Sequence, residues 1–130
     1  MVRNTYEKSS MNNARGGKGP WSMEHILTAE ELLGHGRLFA RALLPAGSSI
    51  GWHRHINEFE LYYVLSGQAV YTDEDGSQTV MKPGESSIIK PGKCHMIDNT
   101  FDTDCELIFM VINDKGCTKG HVEDETLGNL

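Results

Sequence analysis

This sequence predicts an all-β fold of antiparallel strands closed into a sandwich or barrel, and three observations support that expectation. Short runs rich in Val, Ile, Leu, Tyr and Thr recur from Trp21 to Ile112, each of strand length and each with alternating apolar and polar residues. Turn-forming residues separate the runs, as in Asp73-Glu74-Asp75-Gly76, Met81-Lys82-Pro83-Gly84 and Lys90-Pro91-Gly92. Almost no helical periodicity lies between them, which argues against the crossover helices of a parallel sheet.

In chain order, residues 1–20 are polar and end in Gly16-Gly17-Lys18-Gly19-Pro20, a composition that cannot nucleate a core and reads as a flexible arm. The Gly-rich run matches neither spacing of the known phosphate loops. A short strand is expected over Trp21–Leu27, then one helical turn over Thr28–Leu33 capped by Thr28. Further strands are predicted over Gly36–Leu44, Ile50–His55, Glu60–Leu65, Gln68–Thr72, Thr79–Met81, Ser86–Ile89, Cys94–Asp98 and Glu106–Ile112. The body of the fold therefore spans residues 21–114, and residues 115–130 read as a loose, acidic tail.

Composition agrees with one small domain. The chain has 130 residues, 38% hydrophobic, with mean hydropathy −0.40, enough to close one core. A net charge of −6 and a pI near 5.4 count against a nucleic-acid or anionic-membrane partner, either of which demands a basic face. No apolar run approaches membrane-spanning length, and Met1–Ser10 carries no apolar signal segment. Cys94, Cys105 and Cys117 are an odd number without disulfide or CxxC spacing, so a reducing, cytoplasmic location is expected.

Four residues carry the chemistry. His53 and His55 lie two apart on one predicted strand and so share a face, where two imidazoles can meet one ion. Glu60 opens the next strand, and the four residues between it and His55 leave room for a tight turn that returns the carboxylate to that face. His95 follows the Lys90-Pro91-Gly92 turn. The set predicts a site of three nitrogens and one carboxylate for a divalent transition metal: Fe, Mn, Ni, Zn, Co or Cu, among which these donors do not choose.

These residues also carry a family resemblance. Gly47, His53, His55, Glu60 and Gly67 reproduce, gap for gap, the first motif of the cupin superfamily, and Gly84, Gly92, His95 and Asn99 follow its second. One departure is visible: Lys90 stands where the family usually has proline, with Pro91 moved next to Gly92, a pair that still suits a type II turn. The chain thus resembles a small single-domain cupin over about residues 36–114. The resemblance implies a double-stranded jelly-roll barrel with the metal inside it.

A small organic acid or sugar is the expected ligand or substrate, because small cupins include dioxygenases, decarboxylases, isomerases and lyases, and the fold does not choose among them. A non-catalytic binding or sensing role is the alternative. Glu60 and Tyr62 are the candidate catalytic residues; Tyr62 shares strand parity with Glu60 and would bring a hydroxyl near the metal. Arg41 would grip an anion only if it faced the cavity, and otherwise reads as a surface residue. His25, His35 and His121 fall outside both motifs and read as surface or packing residues, and Cys94 should face away from the metal. A homodimer is expected, with the polar arm available to extend a neighbour's sheet edge.

Overall fold

The computed structural model describes residues 1–124. Eleven strands form two antiparallel sheets packed face to face. In chain order they are β1 (Lys8–Asn12), β2 (Pro20–Leu27), β3 (Gly36–Leu44), β4 (Ser49–Ile56), β5 (Glu58–Ser66), β6 (Ala69–Thr72), β7 (Gln78–Met81), β8 (Ser86–Ile89), β9 (Cys94–Asp98), β10 (Cys105–Asn113) and β11 (His121–Asp124). One sheet has the order β1-β2-β3-β10-β5-β8, and the other β11-β4-β9-β6-β7. Every strand predicted from Trp21 to Ile112 is present, most within a residue of its expected ends.

The core follows from strand alternation. On β3, Leu38, Ala40, Ala42 and Leu44 are buried; on β5, Glu58, Glu60, Tyr62 and Val64; on β10, Cys105, Leu107, Phe109 and Val111. Register places Phe109 opposite Tyr62 and Val111 opposite Glu60. Phe109 also meets Trp21 edge-on at 5.8 Å between ring centroids and lies 4.5 Å from Tyr62, contacts worth about 0.5–1.5 kcal/mol each beyond their burial.

Strand β4 breaks the simple alternation. Against β9 it pairs Ile50 with Ile97 and then His53 with His95, so three steps on β4 match two on β9. This bulge flips the parity of everything after it. Ile50 joins the core, and His53 and His55 then face inward too, which an unbroken strand would forbid. Glycine is needed at the bulge: a Cβ on Gly51 would stand 2.0 Å from the Arg15 carbonyl oxygen.

The turns behave as their residues require. Asn57, between β4 and β5, adopts φ 60°, a left-handed conformation that asparagine tolerates, and it carries the chain from one sheet to the other. In the turn before β9 the Lys93 amide bonds the Lys90 carbonyl at 3.2 Å and Gly92 has φ +81°, the type II geometry expected of Pro91-Gly92. At Thr28 the Glu31 amide donates to Thr28 Oγ1 at 3.2 Å and Glu31 Oε1 accepts from the Thr28 amide at 3.0 Å. That reciprocal pair is a capping box on a single turn.

Both ends differ from expectation. Within the segment read as a flexible arm, β1 pairs with β2, Lys8 opposite Glu24 and Met11 opposite Trp21. The arm therefore extends its own chain's sheet. Within the segment read as a loose tail, β11 pairs with β4, Val122 opposite His55. Four of the five residues of β1 and three of the four of β11 are exposed, so backbone pairing holds them without the apolar alternation that a sequence pattern can register. The last part of the tail, 125–130, lies outside the described residues.

Asn99, the end of the second motif, closes the β9–β10 connection. Its Nδ2 donates to the carbonyls of Leu44 (3.0 Å) and Thr103 (2.8 Å), and its Oδ1 accepts from the Phe101 amide at 3.1 Å. It is fully buried and belongs to the scaffold. Asn99→Ala is expected to destabilise the fold by about 2–3 kcal/mol through buried groups left unpaired. Urea denaturation measures the loss, and metal content of the folded variant should match wild type.

Candidate metal centre

Strand β4 supplies His53 and His55, β9 supplies His95 directly opposite His53, and β5 brings Glu60 from the facing sheet. All four are buried. The three Nε2 atoms lie 3.1–3.2 Å apart in every pairing. Glu60 Oε1 is 3.0 Å from His55 Nε2, 3.2 Å from His95 Nε2 and 3.9 Å from His53 Nε2. Neighbouring donors about 2.1 Å from an octahedral ion stand about 3.0 Å apart, and opposite ones about 4.2 Å. Five short separations and one longer one therefore fit four donors around a single ion.

Each imidazole is turned by a partner on its other nitrogen. His53 Nδ1 donates to the Gly51 carbonyl at 2.6 Å, and His55 Nδ1 to Glu58 Oε2 at 2.7 Å. His95 Nδ1 is 3.1 Å from the Tyr71 hydroxyl. With protons fixed on Nδ1, the Nε2 lone pairs of His53 and His55 point at one another and at a carboxylate. Such a convergence of electron pairs, taken out of water, suits a cation at its centre. The donor chemistry thus fits a divalent metal.

Glu58 is fully buried and meets Arg37 through a two-point fork, Nε to Oε1 at 2.8 Å and Nη2 to Oε2 at 2.7 Å. Burial would raise the Glu58 pKa, but its bonds from His55 and Arg37 outweigh that and hold it below the usual carboxylate range. Burial acts on His55 in the opposite sense and would lower it; Glu58 and Glu60 prevail and raise it. Glu60 is held well below its ordinary value because the three imidazoles outweigh its desolvation. His95, sealed from water, is pushed down to about 4. Burial, reinforced by Glu60, lifts the Tyr62 phenol well above its usual value, so it stays protonated.

Every metal donor expected from sequence is in the cluster. Tyr62 is beside it, with its ring stacked on His95 at 4.9 Å and its hydroxyl 3.4 Å from His95 Nε2. Arg41 is outside, on the far face of its sheet, paired with Glu106; a hollow of about 310 Å³ there lies away from the donors. His35 and His121 are exposed, and Cys94 is buried outside the cluster. His25 differs from its surface-or-packing reading: it lines a cavity of about 290 Å³ together with His53, His55 and Glu60, and its Nε2 is 2.7 Å from Ser9 Oγ.

Glu58, Arg37 and Tyr71 escaped the sequence reading. Glu58 shares parity with Glu60 and Tyr62, a signal available had β5 been started two residues earlier. Tyr71 and Arg37 reach the site only through the pairing of distant strands.

A cupin domain model matches residues 40–112. The chain belongs to the cupin family. This cupin is 43% identical over 102 residues to an oxalate-binding protein of Thermotoga maritima, covering 78% of this chain and 84% of that one. It superposes on the crystal structure of a predicted oxalate decarboxylase from Thermotoga maritima with TM-score 0.81 and 40% identity, over 87% of this chain and 99% of the other. A sugar phosphate isomerase of the cupin superfamily from Silicibacter pomeroyi shares the fold at TM-score 0.68 and 19% identity, over 92% and 78% of the respective chains.

Two outcomes follow from this geometry. Glu58→Gln, which keeps the shape but weakens the grip on His55, is expected to lower metal affinity about 10- to 100-fold, measured by competition with a chromophoric chelator. Metal and proton also compete for His55, whose raised pKa means affinity is highest above that pKa. Below it, affinity should fall by about tenfold per pH unit; His95, at about 4, adds nothing until strong acid. Affinity flat from pH 8 to pH 5 would contradict this.

Proposed function

We propose that this cupin holds a divalent metal on His53, His55, Glu60 and His95 and uses it to bind a small dicarboxylate of the oxalate kind. The cavity beside the donors carries the reading. Besides the donor imidazoles, Arg15, His25 and Arg37 are the basic side chains among its described lining residues, and Glu60 is the only carboxylate among them. Trp21, Leu38 and Phe109 supply apolar wall. Such a chamber suits a compact anion, since its basic groups strengthen anion binding in a partly dry setting. A divalent ion held by these four side chains would keep coordination capacity for a chelating anion. The names of the Thermotoga maritima relative and of the Thermotoga maritima structure agree with this ligand class.

When bound, the metal would supply Lewis acidity that draws a carboxylate in and stabilises negative charge on its oxygens. Tyr62 keeps its proton and offers a hydrogen bond to an anion resting against His95. Arg37 brings a guanidinium to the cavity lining, steadied by Glu58, and Trp21 and Phe109 give an aromatic wall.

A catalytic reading rests on the same hydroxyl. Decarboxylation replaces a carbon–carbon bond by a carbon–hydrogen bond and needs a proton at carbon. Tyr62 is the hydroxyl on the cavity wall beside His95 Nε2, but burial holds its proton tightly, and no lining carboxylate is left over for that task. Binding without turnover is the simpler function of this chamber. We also propose a reducing, cytoplasmic setting, since no disulfide joins the cysteines among the described residues. A homodimer formed through the outer face of the six-stranded sheet is a further proposal, supported by exposed Tyr63, Leu65 and Ile88 on that face.

Calorimetry of oxalate against protein loaded with manganese or cobalt should show one site per chain, and chelator-stripped protein should show none. Tyr62→Phe is expected to weaken oxalate about three- to tenfold. Proton NMR of the same mixture for formate separates binding from decarboxylation. Equal oxalate binding by stripped and loaded protein would refute the proposal.

A further inference from the structure

Arg37 is built to do two things at once. Its Nε and Nη2 are committed to Glu58, a carboxylate with no exposure to solvent. Nη1, with two N–H donors, has no bond to any described group. Yet the side chain is 40% exposed, and Arg37 lines the same cavity as His53, His55 and Glu60. A guanidinium tied by a buried carboxylate cannot rotate away, and it arrives at the cavity already oriented.

The distance suits a short ligand. Arg37 Nη2 bonds Glu58 Oε2 at 2.7 Å, and that same oxygen accepts from His55 Nδ1 at 2.7 Å. Across the imidazole ring, Nη2 is therefore within roughly 8 Å of the His55 donor nitrogen, and Nη1 within roughly 10 Å. An anion held between the metal donors and Arg37 can be only a few atoms long. Acetate fills one end of that gap, whereas a dicarboxylate fills both.

Building on the proposed carboxylate function, we propose that Arg37 is the specificity-determining residue of the cavity, its Nη1 donating to the carboxylate oxygen that the metal does not hold. It selects short dicarboxylates over monocarboxylates. The Arg37–Glu58–His55 chain then joins recognition to the metal: one guanidinium steadies the carboxylate that orients a donor imidazole and also receives the far end of the ligand. His25 lines the same cavity but is bonded to Ser9, and Arg15 is paired with Asp124 at 3.3 Å. Arg37 alone of the three combines a locked guanidinium with donors to spare.

The test compares oxalate with acetate on metal-loaded protein by calorimetry, with metal content measured by mass spectrometry. Arg37→Gln leaves Glu58 without its cation inside the fold, so the double variant Arg37→Gln/Glu58→Gln, a neutral hydrogen-bonded pair, is prepared alongside. In whichever variants fold, oxalate affinity should fall about tenfold or more while acetate affinity changes less than about threefold. Both variants are compared with Glu58→Gln alone at metal concentrations that saturate all three, because losing the Glu58 carboxylate by itself loosens the metal. Equal losses for the two anions, or oxalate affinity unchanged relative to that reference, would overturn the proposal by reducing Arg37 to a support. Wild-type protein that holds metal yet binds neither anion marks a different failure, that of the carboxylate function itself, and the selectivity role falls with it.

Discussion

The hydrogen bonds on the outer nitrogens of the three imidazoles are the constraint from which the metal centre follows. A histidine on a strand can rotate and can carry its proton on either ring nitrogen, and each freedom would spoil a shared ion. Here the Gly51 carbonyl, the Glu58 carboxylate and the Tyr71 hydroxyl each occupy an Nδ1. Glu58 is the costly member, being a carboxylate out of contact with water. Its fork to Arg37 offsets that cost, since a buried anion needs full pairing to be tolerated. The ion pair is therefore better understood as an aligning device than as a source of stability.

Backbone irregularity does the rest. Without the extra residue in β4, the inward face of that strand would offer Ile50, Trp52 and Arg54 where it now offers Ile50, His53 and His55. Without the left-handed residue at Asn57, β5 could not leave the sheet of β4 and bring Glu60 across from the other side. Three donors come from one sheet and the fourth from its neighbour, so the packing of Tyr62 against Tyr71 and His95 across the two sheets helps set the spacing between them. Packing at native density transmits small shifts, which makes the core part of the site.

Much of this could be read from the residues. The strands from Trp21 to Ile112 announced themselves through alternation and through turns whose chemistry is local, such as Pro91-Gly92 and Asp75-Gly76. The donor set was legible because its spacing is fixed by strand period and by the two motifs. What stayed hidden was non-local. Arg37 and Tyr71 become neighbours of the histidines only after distant strands pair. Glu58 was masked by the turn at Asn57, where the strand boundary was placed two residues late. Strands β1 and β11 lack an apolar face, so nothing in their composition distinguishes them from loose chain, and pairing with β2 and β4 is what orders them.

Those two edge strands have a consequence of their own. Ser9 and Met11 of β1, Arg15 just beyond it, and Val122 of β11 contribute to the cavity wall, and the Arg15–Asp124 pair links the two edges. None of them supplies a metal donor or a residue of the central packing. The rim of the chamber and its floor are thus separate parts of the polypeptide, and the rim can be rewritten without disturbing the floor. Divergence, natural or engineered, has a ready route here: exchange of the two flanking segments would retune which molecules enter while the inner chemistry is inherited intact.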